Sequence, residues 1–305
     1  MPDIVLHVEN LVKDYGKFRA VNDISFDIEK GKIIGFLGPN GAGKTTTIQI
    51  LLGITTSTSG KIEYFGKNFF THREDTLQKI NFTSAFNTLQ GKITVWENLL
   101  VFGYLYGLKN PKNKILELTE YFEITDLLHT IRYTDLSSGQ KTRVNLVKSL
   151  LNDPEIILMD EPTASLDPDI ADKTLQLIET LKKERNITLL YTSHNMDEIT
   201  RICDEVIFLD HGKIVAHDTP HELTKQIGNT ELLLMFDMKK EVIEKFLVEH
   251  KLVHTFKNHD KVDIKLHESL IPEVLYKLSH KGIQLTNIEI KKPTLEDVFL
   301  QIARD

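Results

Sequence analysis

The sequence predicts an α/β protein with a largely parallel sheet, followed by a small α+β domain, and three observations carry that prediction. The apolar runs EIILMD, ITLLYTS and EVIFLD alternate with amphipathic helical stretches, the pattern of parallel strands joined by crossover helices. GKIIGFLG runs as a buried strand straight into a glycine-rich loop and then a helix. Beyond the polar, turn-rich DTPHELTKQIGNT, the order of elements is strand, helix, strand, turn, strand, helix, strand, which fits a separate βαββαβ sandwich.

Composition agrees with this class. The 305 residues suggest two domains, and 41% hydrophobic with 27% charged residues is ordinary for a soluble globular protein. Lys plus Arg number 37 against 44 Asp plus Glu, a net charge of -7, which argues against electrostatically driven binding to nucleic acid or anionic lipid. The single cysteine, Cys203, cannot form an internal disulfide and reads as a small core residue. With no basic-then-apolar secretory signal at the start, a reducing cytosol is the expected compartment. The longest apolar stretches, IILM and LLVFGYLYGL, fall short of the ~20 residues needed to cross a bilayer. A peripheral place beside a membrane partner stays open.

Taken in order, IVLHVENLVKDYG and AVNDISFDIEKGKIIGFLG read as short strands, with Glu29-Lys30-Gly31-Lys32 as a tight turn. TTTIQILLG is helical, with Ile48, Leu51 and Leu52 on one face. Residues 94–128 and 142–152 look mostly helical. The composition shift near 218–230 places the domain boundary, giving 1–225 and 226–305. In the second domain ELLLMFDM, KKEVIEKFLVEH, KLVHTFKNHDKVDIKL, SLIPEVLYKLSHKG and IQLTNIEIKK supply the sandwich. A last helix follows Thr294, whose hydroxyl can cap it together with Asp297. No internal repeat or low-complexity tract is present.

Gly38-Pro39-Asn40-Gly41-Ala42-Gly43-Lys44-Thr45 matches G-x-x-x-x-G-K-[ST] between a predicted strand and a predicted helix. Its glycines let backbone N–H groups turn inward around an anion, and the helix presents the positive end of its dipole to the same phosphates. Lys44 would reach the β- and γ-phosphates of ATP, with Thr46 beside it on the helix, and the Thr45 hydroxyl would ligate Mg²⁺. Downstream, IILMDE ends a buried strand in two carboxylates, where ligands sit in open α/β sheets. Asp160 is the natural Mg²⁺ partner of Thr45, and Glu161 is placed to polarise a water for attack on the γ-phosphate. Alone, such a pair would more often begin a solvated turn.

LSSGQ (136–140), small and polar before the helical VNLVKSLL, completes the set. By itself it could be a self-contained helix cap through Ser137 or Ser138. Together with the other motifs, in order and spacing over residues 4–220, the chain resembles the nucleotide-binding subunit of an ATP-binding cassette (ABC) transporter. That resemblance implies a P-loop NTPase cassette with a RecA-like core, an antiparallel β subdomain and a helical signature subdomain over approximately 88–152, followed by the small α+β domain. LSSGQ matches the family signature, which faces the γ-phosphate held by the other subunit of a head-to-tail dimer, so Ser137, Gly139 and Gln140 would contact the partner's ATP. A homodimer burying two Mg·ATP follows. Tyr15 resembles the aromatic that stacks on adenine, and Ser165-Leu166-Asp167 the loop that crosses between subunits, which brings Asp167 to the site. His194 resembles the switch histidine that contacts the γ-phosphate and steadies the attacking water, joining Glu161 and Lys44 as catalytic candidates.

The family usually has a glutamine near position 85, where this chain reads Ile80-Asn81-Phe82-Thr83-Ser84-Ala85-Phe86-Asn87. Asn87, Gln90 or a water would complete the metal shell there. The following TVWENLLVFGYLYGL is apolar at helical spacing, a pattern usual for core, although in the family this region docks a helix of the membrane subunit. The last 75 or so residues, ending in PTLEDVFLQIARD, resemble the extension of cassettes that partner ABC-2-type permeases, many of them exporters. The expected protein is therefore a cytoplasmic ATPase, peripheral on the inner face of the membrane through its permease, with no nucleic acid partner. A soluble cassette acting on ribosomes or DNA is the alternative, although the chain has neither a second cassette nor a long coiled coil. A small-molecule kinase would leave LSSGQ and His194 without a role.

Overall fold

The computed structural model describes residues 3–84, 89–164, 166–226, 230–237 and 239–302. By its internal contacts the chain divides into two compact units, Met1–Pro220 and His221–Asp305.

In the first unit, β1 (Ile4–Tyr15) and β2 (Phe18–Glu29) form an antiparallel hairpin. Gly31, at φ 76°, turns the chain into β3 (Ile33–Leu37), and the Lys32 N–H closes on the Glu29 carbonyl at 3.2 Å, the tight turn expected of that tetrapeptide. Then come α1 (Lys44–Leu51), β4 (Ser59–Tyr64), β5 (Lys67–Asn68), α2 (Arg73–Leu77) and β6 (Ile80–Ser84). The helical segment holds α3 (Val95–Leu105), α4 (Pro111–Tyr121) and α5 (Ser138–Leu150). β7 (Ile156–Asp160), α6 (Pro168–Arg185), β8 (Thr188–Thr192), α7 (Met196–Ile202), β9 (Glu205–Asp210) and β10 (Lys213–Asp218) complete the unit.

Two sheets result. The antiparallel one has the order β2-β1-β4-β5, and the other has the order β10-β9-β3-β8-β7-β6. In the latter all neighbours run parallel except β10 against β9. Every residue of β3 and β8 is buried, as parallel strands covered on both faces require. One core joins the sheets: Leu6, Phe26 and Tyr64 of the antiparallel sheet cluster with Phe36, Leu158 and Ile207 of the parallel one, with Ile48 and Leu51 of α1 among them. Because β3, β6, β7 and β8 are parallel, their carboxyl ends emerge at one edge, which is where a ligand can be reached by four loops at once.

α3 carries a capping box, in which Thr94 Oγ1 accepts the Glu97 N–H and the Glu97 carboxylate accepts the Thr94 N–H. Its apolar character is split between two faces. Val95 and Leu99 are buried, whereas Val101, Tyr104 and Leu105 are 51%, 58% and 69% exposed. The helical segment is tied to the parallel sheet by Lys148 of α5, whose Nζ donates to the Phe82 carbonyl (2.9 Å) and to Asn81 Oδ1 (3.2 Å) on β6. The rings of Phe102 and Tyr106 lie 5.5 and 6.0 Å from the same amine. Burial pushes the Lys148 amine down to about 8.

The second unit takes up the chain within α8 (Pro220–Lys225) and continues as β11 (Thr230–Phe236), α9 (Lys240–Glu249), β12 (Val253–Asn258), β13 (Lys261–Leu266), α10 (Ile271–His280), β14 (Leu285–Lys291) and α11 (Leu295–Ile302). Its antiparallel sheet has the order β12-β13-β11-β14. Leu232, Leu234, Val262 and Ile264 of the sheet pack against Ile243, Phe246 and Leu247 of α9 and against Val274 and Leu278 of α10. α11 begins at the predicted cap: Thr294 Oγ1 accepts the Asp297 N–H at 3.3 Å, and Asp297 Oδ2 accepts the Thr294 N–H at 2.8 Å.

Candidate functional site

The loop after β3 folds as its glycines dictate. Gly38, Gly41 and Gly43 take φ of 149°, 85° and 100°. A Cβ on Gly38 would lie 2.2 Å from the Leu209 carbonyl oxygen, and one on Gly43 would lie 2.4 Å from that of Ala20. No side chain fits at either place, so the backbone can wrap closely over the start of α1. Pro39 and Asn40 form the outer arc, Ala42 is buried under it, and Thr45 stands exposed on the first turn of α1 with Thr46 half-buried beside it. Lys44 is 8% exposed, and its Nζ donates to the carbonyls of Gly38 (2.5 Å) and Pro39 (3.1 Å). Burial holds this ammonium below the usual lysine value, while the nearby charges of Glu161 and Asp160 oppose the shift. Both carboxylates are therefore within electrostatic reach of the loop.

Asp160 ends β7 opposite Thr192, the last residue of β8. Thr192 Oγ1 donates to Asp160 Oδ1 at 2.7 Å and accepts the Glu161 N–H at 3.0 Å, so one hydroxyl aligns both carboxyl residues. Glu161 turns out of the strand with φ 51°, a left-handed conformation that a non-glycine residue adopts at a cost. Its Oε1 lies 2.5 Å from Nε2 of His194. Beside the pair opens a cavity of about 430 Å³.

Thr45 and Asp160 offer a hydroxyl and a carboxylate, the hard oxygen donors that suit Mg²⁺, which is ordinarily held by one or two protein groups with substrate phosphates and waters filling its shell. The Asp160 oxygen that accepts from Thr192 is Oδ1, leaving Oδ2 for a cation. Among the described residues no cluster of three or more His, Cys, Asp or Glu side chains forms a fuller cage.

Ser137 is the N-cap of α5, and its Oγ accepts the Gln140 N–H at 3.3 Å while Gln140 Oε1 accepts the Ser137 N–H at 2.9 Å. The self-contained cap and the anion-facing turn are thus compatible, because a hydroxyl that accepts from its own helix still has its proton to donate outward. Ser137, Gly139 and Gln140 line a depression of about 170 Å³ together with Ile170 and Lys173 of α6. None of its lining residues is shared with the cavity beside Glu161 and His194. Gly139 faces Ile170, whose Cγ2 would be 2.8 Å from an added Cβ.

Tyr15 lies at the tip of the first hairpin, 47% exposed, with Lys13 Nζ 4.8 Å from its ring centre. Asp167 is the exposed N-cap of α6 and makes no side-chain cap bond there. Ser165, Ala85 and Asn87 lie outside the described residues. Gln90 is held through its backbone, donating to Asn98 Oδ1 and accepting from Asn98 Nδ2, each at 2.9 Å, in the turn that leads into α3.

Comparison with known proteins decides the family. The ABC transporter family matches residues 21–164, and the family described as "ATP-binding protein DrrA1-3-like, C-terminal domain" matches residues 219–303. The linearmycin resistance ATP-binding protein LnrL of Bacillus subtilis (strain 168) is 32% identical over 309 residues, covering 98% of each chain. The chain belongs to the ABC transporter ATP-binding proteins. A second relative, the bacitracin transport ATP-binding protein BcrA of Bacillus licheniformis, is 33% identical over 302 residues, 98% of this chain and 97% of that one. Among solved structures, an ATP-binding subunit of an ABC transporter superposes with TM-score 0.66 at 25% identity, covering 73% of this chain and 93% of that chain. This ABC protein is thus an ATPase subunit with the cassette fold that its motifs imply. Among the described residues no helix is long and apolar enough to cross a membrane.

Several groups around the ABC site have no signature in the sequence. Thr192, Thr163, Ser193 and Glu198 form hydroxyl and carboxylate contacts beneath Glu161 and His194. Each looks like an ordinary strand-end or helix residue until the sheet brings the loops together. Lys148 is equally unmarked within the signature helix.

Proposed function

We propose that this chain works as one half of a head-to-tail dimer that closes on two Mg·ATP and drives transport, in the outward direction, through separate ABC-2-type permease subunits at the inner face of the cell membrane. The carrying observation is the separation within one chain of the signature depression from the cavity of Glu161 and His194. A signature turned to a partner's phosphate site lets a two-fold dimer complete both sites at once.

In this reading each site residue has a role. Backbone N–H groups of the 38–45 loop and the Lys44 ammonium hold the phosphates, and Lys44 leaves the Gly38 and Pro39 carbonyls to do so. Thr45 and Asp160 would hold Mg²⁺, which when bound would supply charge neutralisation for the phosphates. Glu161 orients the attacking water and takes its proton, while His194 steadies both the carboxylate and the γ-phosphate. Ser137, Gly139 and Gln140 face the partner's γ-phosphate, donating from the hydroxyl and from the N-terminal N–H groups of α5. Tyr15 stacks on adenine, and Asp167 approaches the neighbouring site across the interface. The exposed Val101, Tyr104 and Leu105 of α3 receive the permease.

Outward direction draws on the resistance named for the full-length relative LnrL. LnrL and BcrA weigh against action on ribosomes or DNA.

Mixing two inactive chains tests the dimer. Lys44→Ala removes the phosphate lysine and Gly139→Asp places a negative charge in the signature. Each chain alone should hydrolyse almost no ATP. Mixed in equal amounts, half of the dimers carry one intact composite site, so about a quarter of the wild-type rate should return. No recovery at concentrations where mixed dimers are demonstrated would refute the composite site.

A further inference from the structure

Beneath the Glu161–His194 pair lies a buried carboxylate to which no role has been given. Glu198 is 7% exposed in the first turn of α7, where the Asn195 side chain accepts the N–H groups of Asp197 and Glu198. One of its oxygens, Oε2, accepts three hydroxyls: Thr163 Oγ1 at 2.7 Å, Ser193 Oγ at 2.8 Å and Tyr191 OH at 3.0 Å. Arg201 of the same helix is turned instead to Asp172 and Glu179 of α6. Burying a carboxylate among hydroxyls is expensive unless every member is satisfied, and an apolar residue would fill the space at less cost.

The donors explain the expense. Thr163 stands two residues beyond Glu161, in the turn closed by the Ala164 N–H on the Glu161 carbonyl at 3.1 Å. Ser193 immediately precedes His194, and its hydroxyl also accepts the Asn195 N–H at 3.0 Å, shaping the turn from which His194 projects. The His194 side chain is 54% exposed and touches Glu161, so its place depends on that turn. Glu161 in turn departs from β7 in a left-handed conformation that neighbours must hold.

We propose that Glu198 is a positioning residue for ATP hydrolysis, its Oε2 gathering Thr163 from the Glu161 turn and Ser193 from the His194 turn so that the two side chains meet. This rests on the roles proposed above for Glu161 and His194. Glu198 touches neither ATP nor the attacking water; it fixes the distance between the groups that do.

The test uses the full chain and reads kcat and KM for ATP with the thermal midpoint. Glu198→Gln keeps the shape and one acceptor oxygen, but replaces a charged acceptor and brings in a competing donor. It should lower kcat about tenfold or more with KM unchanged within about threefold, the split of a group felt only in the transition state. The same substitution in a Glu161→Gln background, measured in single turnovers, should cost nothing further, because the pair to be aligned is already broken. Wild-type kcat in Glu198→Gln overturns the proposal, and so does an equal loss in both backgrounds, which would make the effect independent of Glu161. Full turnover in Glu161→Gln alone would instead remove the base assignment on which the proposal stands. Should Glu198→Gln not fold, Thr163→Val and Ser193→Ala each remove one donor, and each should lower kcat about threefold or more at constant KM; wild-type kcat in both would refute the alignment role.

Discussion

Nε2 of His194 lies 2.5 Å from Oε1 of Glu161, across the ends of β8 and β7, which are neighbours in the parallel sheet. In the proposed reaction a water placed against the Glu161 carboxylate gives its proton to it, and His194 holds that carboxylate in place. Glu161→Gln should keep ATP binding, lose about 10²-fold or more in turnover and accumulate an ATP-bound dimer on size-exclusion chromatography. His194→Ala should lose turnover by a similar factor with little change in nucleotide affinity. An unimpaired rate in Glu161→Gln would remove it as the base.

The phosphate loop makes a prediction about backbone rather than charge. At Gly38 an added methyl would sit 2.2 Å from the Leu209 carbonyl oxygen, and φ of 149° disfavours any other residue. Gly38→Ala should displace the loop, weaken binding of ATP about tenfold or more and lower the thermal midpoint. Titration with a fluorescent ATP analogue beside a melting curve separates the two effects.

Lys148 couples stability to pH. Its folded value, about 8, lies below the ordinary lysine value of 10.5, so the unfolded chain binds more protons between these limits and stability rises with pH through that window. The gain attributable to this amine from neutral pH to about pH 10 is on the order of 2 kcal/mol. Lys148→Met should lack that increment in urea titrations across the pH range. Above the window, where the wild-type amine is neutral, the variant should be the less stable of the two, because the Phe82 carbonyl loses its donor. A variant whose stability tracks the wild type in parallel across the window would contradict the assignment.

Tyr104 and Leu105 present apolar surface on α3 that the cassette does not use. The double change Tyr104→Ser and Leu105→Ser should leave the ATPase rate of the isolated chain within about twofold of wild type, as surface substitutions usually do. Co-purification with the membrane permease should fall sharply. Retention of a full complement of permease would place docking elsewhere.

Much of the candidate site was legible before any coordinate. The 38–45 loop, the Asp160-Glu161 pair, LSSGQ and His194 are local patterns whose chemistry depends on residue type and spacing, and each lies where a predicted strand ends or a predicted helix begins. The second unit was equally readable, down to the Thr294 and Asp297 cap, because alternation and capping are short-range signals. Glu198, Thr163, Ser193 and Thr192 were not readable, since an acidic residue in a helix's first turn and hydroxyls at strand ends are ordinary in any sequence.

What the sequence determined by itself was therefore the class, the strands and helices around its motifs and in the second unit, and the candidate residues for meeting a phosphate, all consequences of periodicity and side-chain chemistry along the chain; β4, β5, α2, β6 and β10 emerge only in the structure. Tertiary structure decided which of them meet. Parallel pairing of β7 with β8 sets Asp160 against Thr192 and Glu161 against His194, thirty-odd residues apart in the chain, and leaves Ser137 and Gly139 lining a different depression. Contacts between residues far apart in the chain arise only when the sheet closes, because strand order is chosen by burial on both faces of the sheet rather than by any one segment.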